Sequence, residues 1–392
     1  MGEFYPLFLI LFAGVVFSMI FRRVHVPWVV GLILGGILVG PHVFNLIEVT
    51  PTLDFIAQIG LIFLMFMAGL ETNLSSFKNF RGQLLFLSLI NGAIPFIVGF
   101  GLALTLGHSL TIAILIGIIF VSSSIAVVIP SLERLGLLHT RLGQSVIMTT
   151  VIQDIASLIL LSIVLQSIDP VTQIPLYLFY PLLIVILVMF RLLLPKIRWL
   201  FTAGVRGTKD LFQQEFRSTF LILVGTVIVF ELLGLHHIIA GFFVGLVLSD
   251  SIVNPKIREN IHTISYGFFV PVFFILIGVQ TDIRVFANVS GAALLTIGVI
   301  LASMSSKLIS GWLGGRLVGF SNDQSLLFGI SSIPQLSTTL AVAFSAFSLN
   351  LIGEGLLTAM VALSVVTVVI SPALMNIFST RIQRAAYRNH IK

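Results

Sequence analysis

Val121-Ser-Ser-Ser-Ile-Ala-Val-Val-Ile-Pro130 interrupts a long apolar run, and Ser331-Ser-Ile-Pro-Gln-Leu-Ser-Thr-Thr339 interrupts another. An offset of 209 residues carries Ser122-Ser123 onto Ser331-Ser332. Proline removes a backbone donor, and hydroxyls satisfy the backbone groups that a broken helix frees. Two such stretches at matching positions read as a pair of broken membrane helices, whose carbonyl ends suit a cation and whose amide ends suit an anion. The same offset lays Val29-Val-Gly-Leu-Ile-Leu-Gly-Gly-Ile-Leu-Val39 on Ile238-Ile-Ala-Gly-Phe-Phe-Val-Gly-Leu-Val-Leu248. It lays Gly69-Leu-Glu-Thr-Asn-Leu74 on Gly278-Val-Gln-Thr-Asp-Ile283. Apolar residues match by chance, so the glycine and threonine positions carry the signal.

The surrounding composition excludes a soluble domain. Of 392 residues 57% are hydrophobic and 9% charged, against roughly 25% charged in soluble domains. Long apolar runs such as 84–106 and 182–194 suit helices crossing a bilayer rather than the alternating ten-residue segments of a barrel. There is no cysteine, which excludes disulfides, thiol catalysis and iron–sulfur ligation. The N-terminal Met1-Gly-Glu-Phe-Tyr-Pro-Leu-Phe-Leu-Ile10 lacks a basic region and a small-residue cleavage site, so it reads as a retained helix.

Thirteen spans are expected, near 4–21, 27–44, 53–72, 82–107, 109–131, 142–168, 174–195, 216–234, 236–250, 262–281, 288–318, 323–348 and 354–379. With the N-terminus outside, 18 of the 21 basic residues fall in inside loops or the tail 381–392. That asymmetry is the positive-inside rule, so the net charge of +6 reflects topology, not nucleic-acid binding. Seven spans separate the matched segments, an odd number, which makes the two halves inverted. Repeat one is expected over about 4–168, a linker helix over 174–195, and repeat two over 216–379.

Two charges fall well inside apolar spans, where an ionisable group is a functional candidate. Asp154 lies in Val151-Ile-Gln-Asp-Ile-Ala-Ser157, roughly 20 Å from the inner end of its span. Lys307 lies in Ser305-Ser-Lys-Leu-Ile-Ser310, roughly 17 Å deep. At similar depths the two are able to meet. A carboxylate among hydroxyl and carbonyl oxygens suits a hard cation, and the same carboxylate can take a proton instead. If only a loaded site crosses, that competition is antiport. The candidate cation and proton ligands are Asp154, Gln153, Ser122, Ser123 and Ser124, supported by Lys307, Gln335, Ser337 and Thr338. His236-His237 resembles a metal pair with no third ligand in view, and reads as an interface feature. Glu71, Glu231, Asp282 and Glu354 lie near span ends. No phosphate-binding motif or hydrolase triad appears, so no enzyme activity, cofactor or resident metal is expected. A cation-coupled solute symporter and a gated cation channel remain as rival readings.

Leu61-Ile-Phe-Leu-Met-Phe-Met-Ala-Gly-Leu-Glu-Thr-Asn73, Phe268-Phe-Val-Pro-Val-Phe-Phe-Ile-Leu-Ile-Gly-Val-Gln-Thr-Asp282 and the Gln153-Asp154 pair resemble the Kef-type and Nap-type monovalent cation–proton antiporters. The resemblance runs from the first span to about residue 380. It implies an all-α polytopic fold of thirteen helices with inverted repeats and two crossing broken helices, a homodimer, and an elevator-like core. It also implies that Asp154 binds the potassium or sodium ion and the proton. Gln153 stands where Nap-type members have a second acid, which resembles the Kef-type pattern and favours electroneutral exchange. Lys307 matches a lysine that partners that missing acid. Pro334-Gln-Leu-Ser337 departs from the Pro-Arg-Gly-Glu of many relatives. Kef-type proteins usually append a regulatory domain. The expectation here is a standalone transporter, one served by a separate cytoplasmic regulatory subunit, or a shortened chain. The expected location is a prokaryotic inner membrane, with the basic tail in the cytoplasm.

Overall fold

A computed structural model describes residues 4–23, 27–71, 82–168, 211–232, 237–249, 255–282, 284 and 292–390, with single positions between 181 and 196. Every regular element among them is helical. In chain order these are α1 (Phe4–Arg23), α2 (Trp28–Val39), α3 (Pro51–Glu71), α4 (Gly82–Thr105), α5 (Leu110–Val121), α6 (Ile125–Arg134) and α7 (Arg141–Ile168). There follow α8 (Leu211–Leu232), α9 (His237–Leu248), α10 (Pro255–Ile264), a π-helical turn (Ser265–Phe269) and α11 (Val270–Val279). The last are α12 (Ala292–Leu317), α13 (Asn322–Ser331), α14 (Ser337–Ser348) and α15 (Glu354–His390). Twelve of the thirteen expected spans coincide with these helices. The expected linker at 174–195 and the basic loop beyond it lie largely outside the described residues. Among the described residues eight helical stretches are long and apolar enough to cross a bilayer. On α1 the face of Phe4, Phe8, Phe12, Val15 and Met19 is not covered by protein, as suits a chain solvated by lipid. The chain is thus an integral membrane protein of all-α polytopic fold.

Local chemistry sets the helix ends. Ser109 caps α5, its hydroxyl accepting from the Ile112 amide. Ser321 and Gln324 form a reciprocal capping box at the start of α13. Gly107 follows α4 at φ 79°, a left-handed conformation that glycine adopts without steric cost. The α15 helix continues through the basic stretch beyond residue 380.

The described residues form two compact units, one drawn from 1–50, 80–161 and 274–392, the other from 51–79 and 162–273. In the first unit α2 and α11 cross at bare backbone. A Cβ added to Gly36 would stand 2.0 Å from Ile275 O, and one on Gly278 would stand 2.1 Å from Ile33 O. In the second unit α3 and α9 cross in the same way. A Cβ on Gly245 would stand 2.1 Å from Phe66 O, and one on Gly69 would stand 2.0 Å from Phe242 O. The offset of 209 maps every member of the first crossing onto a member of the second. Chance likeness among apolar helices does not reproduce a contact atom for atom, so the repeat is structural. Small residues let membrane helices approach this closely. The second crossing is also tied at its ends, where Arg258 of α10 donates to Leu70 O at 3.0 Å and Ser249 O at 3.3 Å.

Candidate cation site at the two helix breaks

The first unit contains both breaks. Ser122 to Ser124 separate α5 from α6, and Ser332 to Leu336 separate α13 from α14. Serine side chains compete for backbone groups and so favour such interruptions. Pro334 cannot donate and biases Ile333 away from the helical region. Pro130 sits inside α6 instead, so the serines, about two turns earlier, make the first break. The breaks meet. The Ser124 amide donates to Pro334 O at 2.7 Å, and the Ser123 hydroxyl donates to Ser332 O at 2.8 Å. The Ser122 and Thr339 hydroxyls share a hydrogen bond of 2.8 Å.

A helix ending inside a protein leaves its last carbonyls without helical partners. For α5 each is answered from elsewhere. Ile119 O accepts from the Ser122 hydroxyl at 3.1 Å, and Phe120 O accepts from Gln335 Nε2 at 3.3 Å. Val121 O accepts from Lys307 Nζ at 2.5 Å. Lys307 comes from the middle of α12 and is 0% exposed. Its ammonium has three protons and three oxygen partners, the others being Ser123 Oγ and Gln153 Oε1, both at 3.1 Å. A positive charge at the negative end of a half-helix is favourable, and more so away from water.

Asp154 stands halfway along α7 and is 2% exposed. The Thr338 hydroxyl in the first turn of α14, the Ser123 backbone and the Lys307 charge all stand near enough to act on its carboxylate. An anion thus lies at the amide end of one half-helix, and a cation at the carbonyl end of another. Several buried oxygens remain without a partner: Asp154 Oδ1, Ser124 Oγ and Gln335 Oε1. Burying such atoms unpaired is costly, and a cation is what oxygens of this kind would accept.

Of the residues expected from sequence, Ser122, Ser123, Ser124, Gln153, Asp154, Lys307, Gln335 and Thr338 are brought into one linked cluster. Ser337 opens α14 beside Thr338, buried but with no direct link to the cluster among the described contacts. Among the described residues Asp154 and Lys307 are the buried charges. Glu71, Glu231 and Glu354 are not covered by protein. Asp282 lies beyond α11, where hydrogen bonding from Arg284 holds its carboxyl below the usual range. The side chains of His236 and His237 lie outside the described residues, and no three potential metal ligands cluster among those described. Asn91 of α4 was not expected. It sits in the run 84–106, apolar by composition, yet it is fully buried with Oδ1 2.9 Å from Ser310 Oγ. Thr367 of α15 was also not expected, and its hydroxyl accepts from the Gln335 amide at 3.2 Å. The signal for both was a polar side chain inside a largely apolar span.

Known proteins resemble this chain over most of its length. The family model described as "Sodium/hydrogen exchanger, transmembrane" matches residues 7–376. A probable Na(+)/H(+) antiporter of Methanocaldococcus jannaschii is 30% identical over 389 residues, covering 98% of each chain. The Na(+)/H(+)-K(+) antiporter GerN of Bacillus cereus is 27% identical over 358 residues, covering 90% of each. Among solved structures, the sodium proton antiporter MjNhaP1 from Methanocaldococcus jannaschii at pH 8 superposes with a TM-score of 0.66 at 17% identity, covering 95% of this chain and 96% of that one. At that identity the superposition speaks to the fold.

Proposed function

We propose, for a chain that belongs to the sodium/hydrogen exchanger family and exchanges a cation for protons, that Asp154 is the carboxylate at which the two compete. The cation is a monovalent one, sodium or potassium, and the exchange is one for one and electroneutral. The observation that carries this reading is the unpartnered Asp154 Oδ1, buried at the meeting of two helix breaks with Ser124 Oγ and Gln335 Oε1 also unpaired. A bare carboxylate in so dry a place must be neutralised, by a cation or by a proton. Gln153 supports the electroneutral form. Its side-chain carbonyl is occupied by Lys307 and it brings no second ionisable group. The ammonium of Lys307 stays on neutral oxygens, and Asp154 is left to change partners. In alternating access the two loaded forms cross and the bare anion does not, which couples the flows. The names of relatives, which include both sodium and potassium antiporters, support a monovalent cation.

The test is dissipation of a pH gradient in proteoliposomes by potassium, sodium, lithium and rubidium in turn. Asp154→Asn is expected to abolish exchange while leaving thermal stability close to that of the parent. Near-normal exchange by this variant removes Asp154 from the site. In the parent an imposed membrane potential should leave the rate unchanged, and a steep voltage dependence would refute one-for-one exchange.

A further inference from the structure

We propose that Asn91 is a specificity-determining residue of the same site, offering its side-chain carbonyl oxygen to the transported cation from α4. The inference rests on the reading of the Asp154 cluster as the cation site.

The argument is one of donors and acceptors. Asn91 is 0% exposed. Ser310 Oγ lies 2.9 Å from its Oδ1 and Ser332 Oγ lies 3.3 Å from the same atom, while Nδ2 has no partner. Each hydroxyl carries one proton and already has a main-chain carbonyl within reach. For Ser310 it is Lys307 O at 3.2 Å, and for Ser332 it is Gly329 O at 2.8 Å. Amide oxygen and nitrogen are interchangeable in shape, and the hydrogen-bond network decides which is which. With oxygen toward the serines, two buried N–H protons are left unpaired. With nitrogen toward them, both N–H protons go to the serine oxygens and both hydroxyl protons go to the carbonyls. Every donor of Asn91 and the two serines is then satisfied, and their one unpaired atom is a carbonyl oxygen. Buried N–H groups without partners are rare and costly, whereas underused carbonyls are tolerated better. The network therefore selects the second orientation.

The location matters as much as the orientation. Ser332 is the break residue whose carbonyl holds Ser123, and Ser310 lies one turn beyond Lys307 on α12. The next residue, Gly92, backs onto Gln153, where an added Cβ would stand 3.8 Å from Nε2. A free oxygen at this place adds to the unpaired oxygens of Asp154, Ser124 and Gln335. In the opposite orientation two N–H groups would repel a cation.

Three variants test this in proteoliposomes, with half-saturating cation concentration, maximal rate and thermal midpoint read for potassium and for sodium. Asn91→Leu keeps the branched shape and removes the oxygen. It should raise the half-saturating concentration roughly tenfold, equivalent to about 1.4 kcal/mol of binding, and should change the potassium-to-sodium ratio. Asn91→Asp retains an oxygen and should restore affinity. Asn91→Ser serves if the leucine variant does not fold, with the same shift expected. A lower maximal rate and midpoint with an unchanged cation ratio would assign Asn91 a structural role only and overturn the inference. So would an aspartate variant as weak as the leucine one. If Asp154→Asn is inactive while the Asn91 variants keep the parent ratio, the inference fails and the site reading stands. If Asp154→Asn still exchanges, the site reading itself fails.

Discussion

The two helix breaks occupy equivalent positions in the repeat, yet they are held by different parts of the molecule. The first, between α5 and α6, is wired to the charged residues. Its carbonyl end holds Lys307, and Ser123 connects that ammonium to Ser332. The Ser123 backbone lies near enough to act on Asp154. The second, between α13 and α14, is framed by hydroxyls of α15. The Gln335 amide donates to Thr367, and the Ser371 hydroxyl donates to Ile330 O at 2.9 Å. No charged side chain lies on the backbone of the second break among the described residues. The same interruption occurs twice, and neighbouring helices tie the first copy to the charged residues and the second to hydroxyls of α15. Variants of the first should therefore show large, coupled effects, and variants of the second smaller and independent ones.

The largest effect is expected at Lys307. Lys307→Met keeps the length of the side chain but strips Val121 O, Ser123 and Gln153 of their donor and leaves Asp154 without a nearby counter-charge. Leaving these buried acceptors without their donor costs about 3 kcal/mol or more, read as the loss of unfolding free energy in detergent. The comparison also predicts coupling. Adding Asp154→Asn to Lys307→Met should recover much of the loss, because the remaining charge then disappears as well. Additive losses in the double variant would mean that the first break is not wired to the pair.

Much of this was legible in the sequence, for identifiable reasons. Asp154 and Lys307 stand out because a charge in an apolar span needs a reason. The breaks stand out because a serine pair recurs at a fixed offset and Pro334 falls in the second stretch. What one dimension does not carry is rotation about a helix axis. Depth brought Lys307 level with Asp154, but the bonds of its ammonium go to Val121, Ser123 and Gln153, which the rotation of α12 decides. The offset likewise aligned Gly36 with Gly245 and Gly69 with Gly278. It was silent on the fact that Gly36 packs against Gly278 and Gly69 against Gly245. Asn91 and Thr367 were missed because one polar side chain in a span is commonly satisfied by its own helix, as Thr367 partly is through Leu363 O. Their longer-range partners appear only when the helices are packed.

On the framing side Thr367→Val is the next test in size. Valine keeps the shape of threonine, so the change isolates the hydroxyl. The buried Gln335 amide loses its acceptor, a cost of about 1–3 kcal/mol. Because Thr367 holds the Gln335 backbone while the side chain is held separately on Phe120 O, the expected kinetic effect is a lower maximal rate shared equally by potassium and sodium. A change in cation preference would place the second break among the chemical elements and remove the distinction between the two.

The smallest effect is expected at Ser371→Ala. Its hydroxyl donates to Ile330 O, a carbonyl in the last turn of α13, and the backbone of α13 and α15 is otherwise untouched. A carbonyl has two lone pairs and is tolerated with fewer partners than a buried N–H, so the loss should be about 1 kcal/mol. Since nothing charged depends on this contact, it should add to the Thr367→Val loss only so far as the two hydroxyls, one helical turn apart on α15, hold the break independently. Additivity to within about 0.5 kcal/mol would mark the frame as a set of separate ties. Clear coupling between them would mean that the second break moves as one piece, and that α15 positions it as a unit.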